Sequence, residues 1–267
     1  MYDLAAYEEE LAGTIFAGKL HYFPITGSTN VDAVEAARND APHGSVFLTN
    51  EQSGGRGRGD HSWHSAPGDG LYVSILLRPQ IPMQRLALLP LIAALATSEA
   101  IRTASGLTAD LRWPNDLLIG PRKVVGMMVE SKIEATPAGG SVAFAVIGIG
   151  INVHQQTFPP DLAAIATSLD LETGRTISRH ALLVSLLKSL EHEAQGLLAP
   201  MANVTIPRRI AAASSWIRGK QVEVHGPQAC AGVTEGLDEH GFLLVRTDHG
   251  LVTVQTGGIR AAKPQKD

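Results

Sequence analysis

Along most of the chain, short runs of β-type residues alternate with apolar positions at helical spacing; towards the C-terminus only the short runs remain. Residues 1–18 read as a short helix and 21–25 as a strand. Ser28, Thr29 and Asn30 are cap residues, Asp32 follows three after Thr29, and a helix is predicted over 30–39. Residues 45–49 form a strand. Residues 50–70 hold six glycines, two arginines and little apolar content, and read as a loop. The β-rich run 71–77 ends near Pro79. A buried-type helix over 88–103 starts or kinks at Pro90. Residues 107–113 give a strand; 123–132 and 142–149 give two more, paired through a turn at 137–140. Residues 178–198 form an amphipathic helix.

The pattern changes near Arg218. Strands are predicted at 221–224, 231–237, 242–246 and 251–255, separated by turn signals at Gly226-Pro227, 238–241 and 248–250. Close spacing of short strands is the mark of a small β-barrel or sandwich. The expected fold is therefore α+β over residues 1–216, followed by a small all-β domain over 217–267. The chain has neither an internal repeat nor a low-complexity tract.

Composition narrows the function classes. The 267 residues are 44% hydrophobic with a formal net charge of −4, enough apolar content for a sizeable core and the wrong balance for a protein held mainly by nucleic-acid phosphates. Cys230 is the single cysteine, so an internal disulfide is excluded; it is expected to be a small buried residue. The N-terminus lacks the basic and apolar regions of a signal peptide. The longest apolar run, 86–96, is interrupted by Pro90 and falls short of the roughly 20 residues of a membrane helix. A soluble cytoplasmic protein is expected.

Four segments carry candidate chemistry. In the first, Gly54, Gly55, Gly57 and Gly59 interleave with Arg56 and Arg58 between Gln52 and Trp63. Such glycines let backbone N–H groups approach a ligand, and the arginines offer bidentate donors to carboxylate or phosphate. Trp63 suits an apolar or heterocyclic ligand. The loop alone reads equally as a flexible RNA-binding surface segment. The second, Arg112-Trp113-Pro114-Asn115-Asp116, holds Trp113 extended before proline and presents an amide and a carboxylate together; alone, it is also an ordinary strand exit. In the third, Lys123 opens the apolar run Val124-Val125-Gly126-Met127-Met128-Val129-Glu130. A strand glycine often marks close approach by a ligand or backbone, while the lysine read alone is equally a solvated strand-edge residue. The fourth, Gly148-Ile149-Gly150-Ile151-Asn152, again leaves room for a ligand, and it lacks the third glycine of a dinucleotide fingerprint. His61 and His64 have no third partner for zinc, and Ser28 lies in no nucleophile elbow.

In this order and spacing, the segments resemble the catalytic domain of the biotin–protein ligases. Ser28-Thr29-Asn30 is similar to that family's S-T-N, Gly55-Arg56-Gly57-Arg58 to its G-R-G-R, Trp113-Pro114-Asn115-Asp116 to its W-P-N-D, Lys123-Val124-Val125-Gly126 to its K-h-x-G (h apolar) and Gly148-Ile149-Gly150-Ile151-Asn152 to its G-x-G-x-N. The resemblance implies a mixed-sheet domain of class II synthetase type with a C-terminal SH3-like barrel. It implies that Ser28, Thr29, Asn30, Gln52, Gly55, Gly57, Gly126 and Gly148 surround biotin, and that Arg56, Arg58 and Lys123 bind both substrates and carry the catalysis. His61, Trp63, Asn115, Asp116 and Asn152 would line the nucleotide side. It further implies ATP with Mg²⁺, and a biotin carboxyl carrier protein whose lysine is the acceptor. A homodimer is compatible with it, and neither DNA nor a membrane is expected.

Two positions depart from the family loop, Asp60 for glycine and His61 for arginine; Arg112 replaces a common lysine but keeps the charge. The implied chemistry suits the residues. Bringing a carboxylate to ATP joins two anions, a repulsion on the order of a few kcal/mol at protein-like dielectric, which Lys123, Arg56, Arg58 and Mg²⁺ offset. The C-terminal strands lie apart from the motif segments and are expected to serve ATP or carrier use more than biotin recognition. The rival readings are a lipoate ligase-like acyl transfer, for which the Gly-Arg loop with W-P-N-D is not expected, and a biotin-responsive regulator. Twenty residues precede His21, too few for a helix-turn-helix domain.

Overall fold

The carboxylate of Asp3 accepts from the N–H groups of Ala5 and Ala6 and starts helix α1 (Leu4–Glu10). In the computed structural model, which describes residues 2–59, 61–137 and 139–262, this helix is shorter than the expected 1–18. Gly13 and Gly18 take positive φ and keep the following segment in turns. There follow β1 (Leu20–Phe23), α2 (Thr29–Arg38), β2 (Val46–Thr49) and β3 (Gly70–Leu77). A 3₁₀ turn, Met83–Leu88, leads into α3 (Leu89–Ser105), where Pro90 sits in the first turn and its missing N–H leaves nothing unpaired. Gly106 ends that helix at φ 79.

The chain continues through β4 (Asp110–Arg112), β5 (Asp116–Ile119), β6 (Arg122–Thr136), β7 (Gly139–Asn152), α4 (Leu169–Thr173), α5 (Arg179–Leu198) and α6 (Ala202–Ala213). It closes with β8 (Arg218–His225), β9 (Cys230–Leu237), β10 (Leu243–Thr247), β11 (Gly250–Val254) and β12 (Gly258–Ala261). The turn expected at 137–140 includes Ala138, which lies outside the described residues. Four elements are additions to the sequence reading. Those at β5, α4 and β12 are too short to show a period, and α6 carries Pro207 inside it, which breaks the helical signal.

The seven-stranded sheet has the order β1-β2-β3-β7-β6-β5-β4. Only β1 and β2 pair in parallel; the other neighbours are antiparallel. Strand alternation divides its two faces. Leu71, Val73, Ile75 and Leu77 join the main core with α3 and α5, while Leu76 and Val146 pack with Ala33 and Ala37 of α2 on the opposite face. On that second face Tyr72 pairs with Gly150, and Ser74 with Gly148. Beyond the start of α2 the face is therefore floored by Gly148, Gly150, Ser74 and the buried Tyr72.

The second sheet, β11-β10-β9-β8-β12, is antiparallel as expected. It is consistent with the expected SH3-like domain, and among the described residues no pairing joins β11 to β12. The segment between them is held otherwise, since Gln228 accepts from the N–H groups of Gln255 and Thr256. Both sheets share one apolar core, which runs from Tyr7 through α3 and α5 to Val222, Val245 and Ile259. Cys230 is half-buried rather than fully buried, and desolvation raises its thiol pKa. The continuous helical stretch Met83–Ser105 has 23 residues and meets the length and apolarity of a membrane span, which the interrupted 86–96 run did not suggest. Here it is a core helix, with Leu88, Leu89, Leu91 and Ile92 at 0% exposure.

Candidate active site

A cavity of about 1340 Å³ lies over the glycine-rich face, between the start of α2, the Gly-Arg loop, the β4–β5 turn and the edge of the second sheet. Ser28, Thr29 and Asn30 open α2 there and are only 3–4% exposed. The side chains of Thr29 and Asn30 belong to one hydrogen-bonded chain. Gln52 Oε1 accepts from the Thr29 N–H at 3.0 Å, the Thr29 and Ser74 hydroxyls lie 2.8 Å apart, and Ser74 donates to Asn30 Oδ1 at 2.9 Å. Asn30 Nδ2 in turn donates to Glu130 at 2.6 Å. A Cβ on Gly148 would collide with Asn30 Oδ1, so that glycine makes room for the asparagine.

The Gly-Arg loop folds back on itself. Gly57 N–H donates to the His61 carbonyl at 2.7 Å, Trp63 N–H donates to the Gly55 carbonyl at 2.9 Å, and Arg56 bridges to Ser62. Gly55 does not line the cavity. A Cβ there would meet the Trp63 carbonyl oxygen at 2.5 Å and Ser65 Oγ at 2.7 Å, so this glycine serves the loop's own closure. The His61 side chain is exposed while its backbone holds the turn; Asp60 lies outside the described residues.

Trp63 lies across the sheet. Cβ atoms on Gly126 and Gly150 would strike its ring, the first at 2.6 Å from Cζ3. The space predicted for a ligand at these two glycines is thus filled by an indole of the same chain. Its Nε1 is buried against Gly150.

Lys123, Arg112 and Arg58 gather around Asp116, while Arg56 stands beside Glu130 near the start of α2. Lys123 Nζ lies 2.5 Å from Asp116 Oδ1 and 5.3 Å from the Trp63 ring centre, and Arg112 holds the second Asp116 oxygen at 2.7 Å. Arg56 is half-exposed, 3.7 Å from Glu130. Arg58 donates to the Gly257 carbonyl and, at 2.7 Å, to Thr256 Oγ1. Burial lowers the Arg58 pKa and the Asp116 charge partly restores it. This corrects the expectation that the C-terminal strands lie apart from the motifs: the β11–β12 connection contacts the loop, and Thr256, Gly257 and Lys220 line the cavity. The chain turns back there because both sheets are docked on the same core.

Asn115 and Asn152 line the cavity with their amides already engaged. Asn115 Nδ2 donates to the Met127 carbonyl at 2.5 Å, and Asn152 Nδ2 to that of Thr167 at 3.0 Å. The Trp113–Pro114 peptide is cis, and the Trp113 indole donates to the Gly241 carbonyl at 3.1 Å, joining the W-P-N-D turn to the second sheet. Ser74 and Glu130 escaped the sequence reading as site residues. A lone serine inside Leu71-Tyr72-Val73-Ser74-Ile75 was a usable signal; nothing local marked Glu130.

The biotin/lipoate A/B protein ligase family model matches residues 22–152. The bifunctional ligase/repressor BirA of Bacillus spizizenii is 34% identical over 245 residues, 90% of this chain and 73% of that protein. The biotin–[acetyl-CoA-carboxylase] ligase of Paracoccus denitrificans is 31% identical over 239 residues, 84% of this chain and 93% of that one. Among solved structures, the biotin protein ligase from Aquifex aeolicus in complex with biotin and ATP superposes with a TM-score of 0.77 at 27% identity, covering 92% of this chain and 100% of that one. A cavity built from five motif segments, a matching fold over nearly the full length and relatives at this level of identity lead to one conclusion: the chain belongs to the biotin protein ligase family.

Proposed function

We propose that this protein is an ATP-dependent ligase that converts biotin to biotinyl-5'-adenylate and passes the biotinyl group to one lysine of a biotin carboxyl carrier protein. The observation that carries this reading is the polarity of the cavity. Buried hydrogen-bonding side chains at the start of α2 suit a ureido ring, and Lys123 and Arg58 around Asp116, with Arg56 nearer α2, suit a carboxylate beside a phosphate. The Aquifex aeolicus relative holds biotin and ATP.

Ser28, Thr29, Asn30 and Gln52 receive the ring, with Gly57, Gly126 and Gly148 keeping its surroundings narrow. Lys123 leaves Asp116 to bridge the biotin carboxylate and the α-phosphate. A carboxylate oxygen attacks that phosphorus and pyrophosphate departs, while Arg56, Arg58 and Lys123 stabilise the charge that builds up. Trp63, Asn115, Asp116, Asn152 and His61 border the nucleotide part of the adenylate. The carrier amine then attacks the acyl carbon and AMP leaves; a closed loop keeps water from the mixed anhydride.

Magnesium carried by ATP takes one or two carboxylates besides phosphate oxygens and water. Asp116 fits as such a carboxylate, and among the described residues no three His, Cys, Asp or Glu side chains gather into a resident metal site. The ion would supply further charge neutralisation. The reading extends to a cytoplasmic enzyme without DNA binding whose two domains meet at residues 216/217, and a homodimer is compatible with it.

The test is the mass of a biotin carboxyl carrier domain after incubation with ATP, biotin and this protein. One added biotinyl group on a single lysine is expected. Pyrophosphate exchange driven by lipoate and not by biotin would overturn the proposal.

A further inference from the structure

Glu130 stands directly behind Asn30, outside the lining of the main cavity and on the wall of a smaller one of about 370 Å³. It faces the same side of β6 as Gly126, because both share the alternation that opposes Gly126 to Gly150 and Glu130 to Val146. One carboxylate oxygen accepts from Asn30 Nδ2 at 2.6 Å; the other lies 3.7 Å from Arg56.

An asparagine amide has two ends of nearly equal shape and opposite hydrogen-bonding character, and its neighbours decide which way it points. A carboxylate can only accept, so Glu130 holds the Asn30 NH₂ towards itself and turns Oδ1 towards Ser74. Ser74 must then donate its hydroxyl proton to Asn30. That leaves the Ser74 oxygen as the acceptor in its 2.8 Å contact with Thr29, whose single hydroxyl proton is shared between Ser74 and Gln52 Oε1 at 3.3 Å. Asn30, Ser74 and Thr29 are at most 3% exposed, so water cannot redirect the chain. The direction of the links from Glu130 through Asn30 to Ser74 follows from the acceptor at their end. Gly148 allows the Asn30 amide to sit this close to the sheet.

We infer that Glu130 is a positioning residue for the ring subsite: it sets which atoms of Ser74 and Asn30 donate and which accept, and thereby selects a ring that presents the complementary pattern. The inference rests on the biotin ligase reading and adds a specificity determinant that never touches the substrate. The contact with Arg56 is half-exposed and contributes little by comparison.

The test is steady-state biotin-dependent pyrophosphate exchange by wild type, Glu130→Met, Glu130→Gln and Ser74→Ala, with unfolding midpoints measured alongside. Met fills the space without an acceptor and should raise KM for biotin about 10-fold or more, the scale of a hydrogen bond to a charged group. KM for ATP and kcat should stay within about 3-fold. Gln can present its carbonyl to Asn30 and should recover a biotin KM within about 3-fold of wild type. Ser74→Ala cuts the next link and should reproduce the biotin-selective rise, which keeps the inference testable if Glu130→Met fails to fold. An unchanged biotin KM in the Met variant overturns the inference, as does an equal rise for biotin and ATP or a Gln variant no better than Met. Wild-type protein with no biotin-dependent exchange would instead remove the underlying ligase reading.

Discussion

At the scale of single residues, the glycines of the sheet act through what they leave uncovered. Gly148 yields its space to Asn30, and Gly126 and Gly150 yield theirs to Trp63. Gly148→Ala should therefore weaken biotin binding about 10-fold or more while the chain still folds, because the displaced side chain is one hydrogen-bonded amide. Gly150→Ala should instead lift the indole, alter Trp63 fluorescence and affect ATP more than biotin. Titrating both ligands against both variants checks the contrast; identical profiles for the two alanines would contradict it. Lys123→Met should slow pyrophosphate exchange by about 10²-fold, the effect of losing one transition-state donor. Asp116 keeps Arg112 at 2.7 Å, so the unfolding midpoint should hardly move. Near-normal exchange in a folded variant would remove Lys123 from the chemistry.

At the scale of elements, the connection from α2 to β2 carries a pH-dependent brace. His43 Nδ1 accepts from the Arg78 N–H at 2.9 Å, just past β3, and its carbonyl accepts from Lys19 Nζ at 2.9 Å. Burial lowers the His43 pKa below 6.5, and Lys19 and Arg78 lower it further against a smaller opposing effect of Glu191. The folded state thus binds this proton less readily than the unfolded chain. The brace contributes its full stability above pH 6.5 and loses it as the pH falls through the lowered folded value. His43→Asn keeps an acceptor near Nδ1 without the proton. Denaturant unfolding at pH 7.5, 6 and 5 should show wild type losing more stability on acidification than the variant. Parallel losses would place the acid sensitivity elsewhere.

At the scale of the whole molecule, the two sheets depend on each other. A single core crosses between them, Trp113 hydrogen-bonds to Gly241, and Arg58 reaches the β11–β12 connection. A Cβ on Gly241 would approach Leu91 of α3 to 2.7 Å, so the second sheet rests closely on the first unit's central helix. A chain ending at Ser215 would expose Trp113, Leu88 and Leu91 and leave Arg58 without either acceptor. It should lose cooperative unfolding and biotin binding together. Full biotin affinity in a cooperatively folding truncation would show that the shared core is dispensable. Thr256→Val, which removes one acceptor of Arg58 and keeps the fold, should speed adenylate dissociation by a few-fold, the scale of one exposed hydrogen bond.

Much of this was legible in the chain before folding. The β-rich run at 71–77, helical spacing at 178–198 and cap residues at Ser28 to Asn30 each report a local backbone preference, and those elements formed within a residue or two of expectation. The motif segments came together because each lies at an element end or on the glycine-lined face of the same sheet. Short or interrupted elements left no period to read: β5, β12 and α6 with its Pro207. Sequence also marked Gly126 and Gly150 as open space without naming the occupant. The partners of Glu130 and Arg58 were beyond local reading altogether. Asn30 lies 100 residues from Glu130, and Gly257 lies 199 residues from Arg58. Such pairs are set by strand register and by docking on a common core, and no local pattern of polar and apolar positions encodes either.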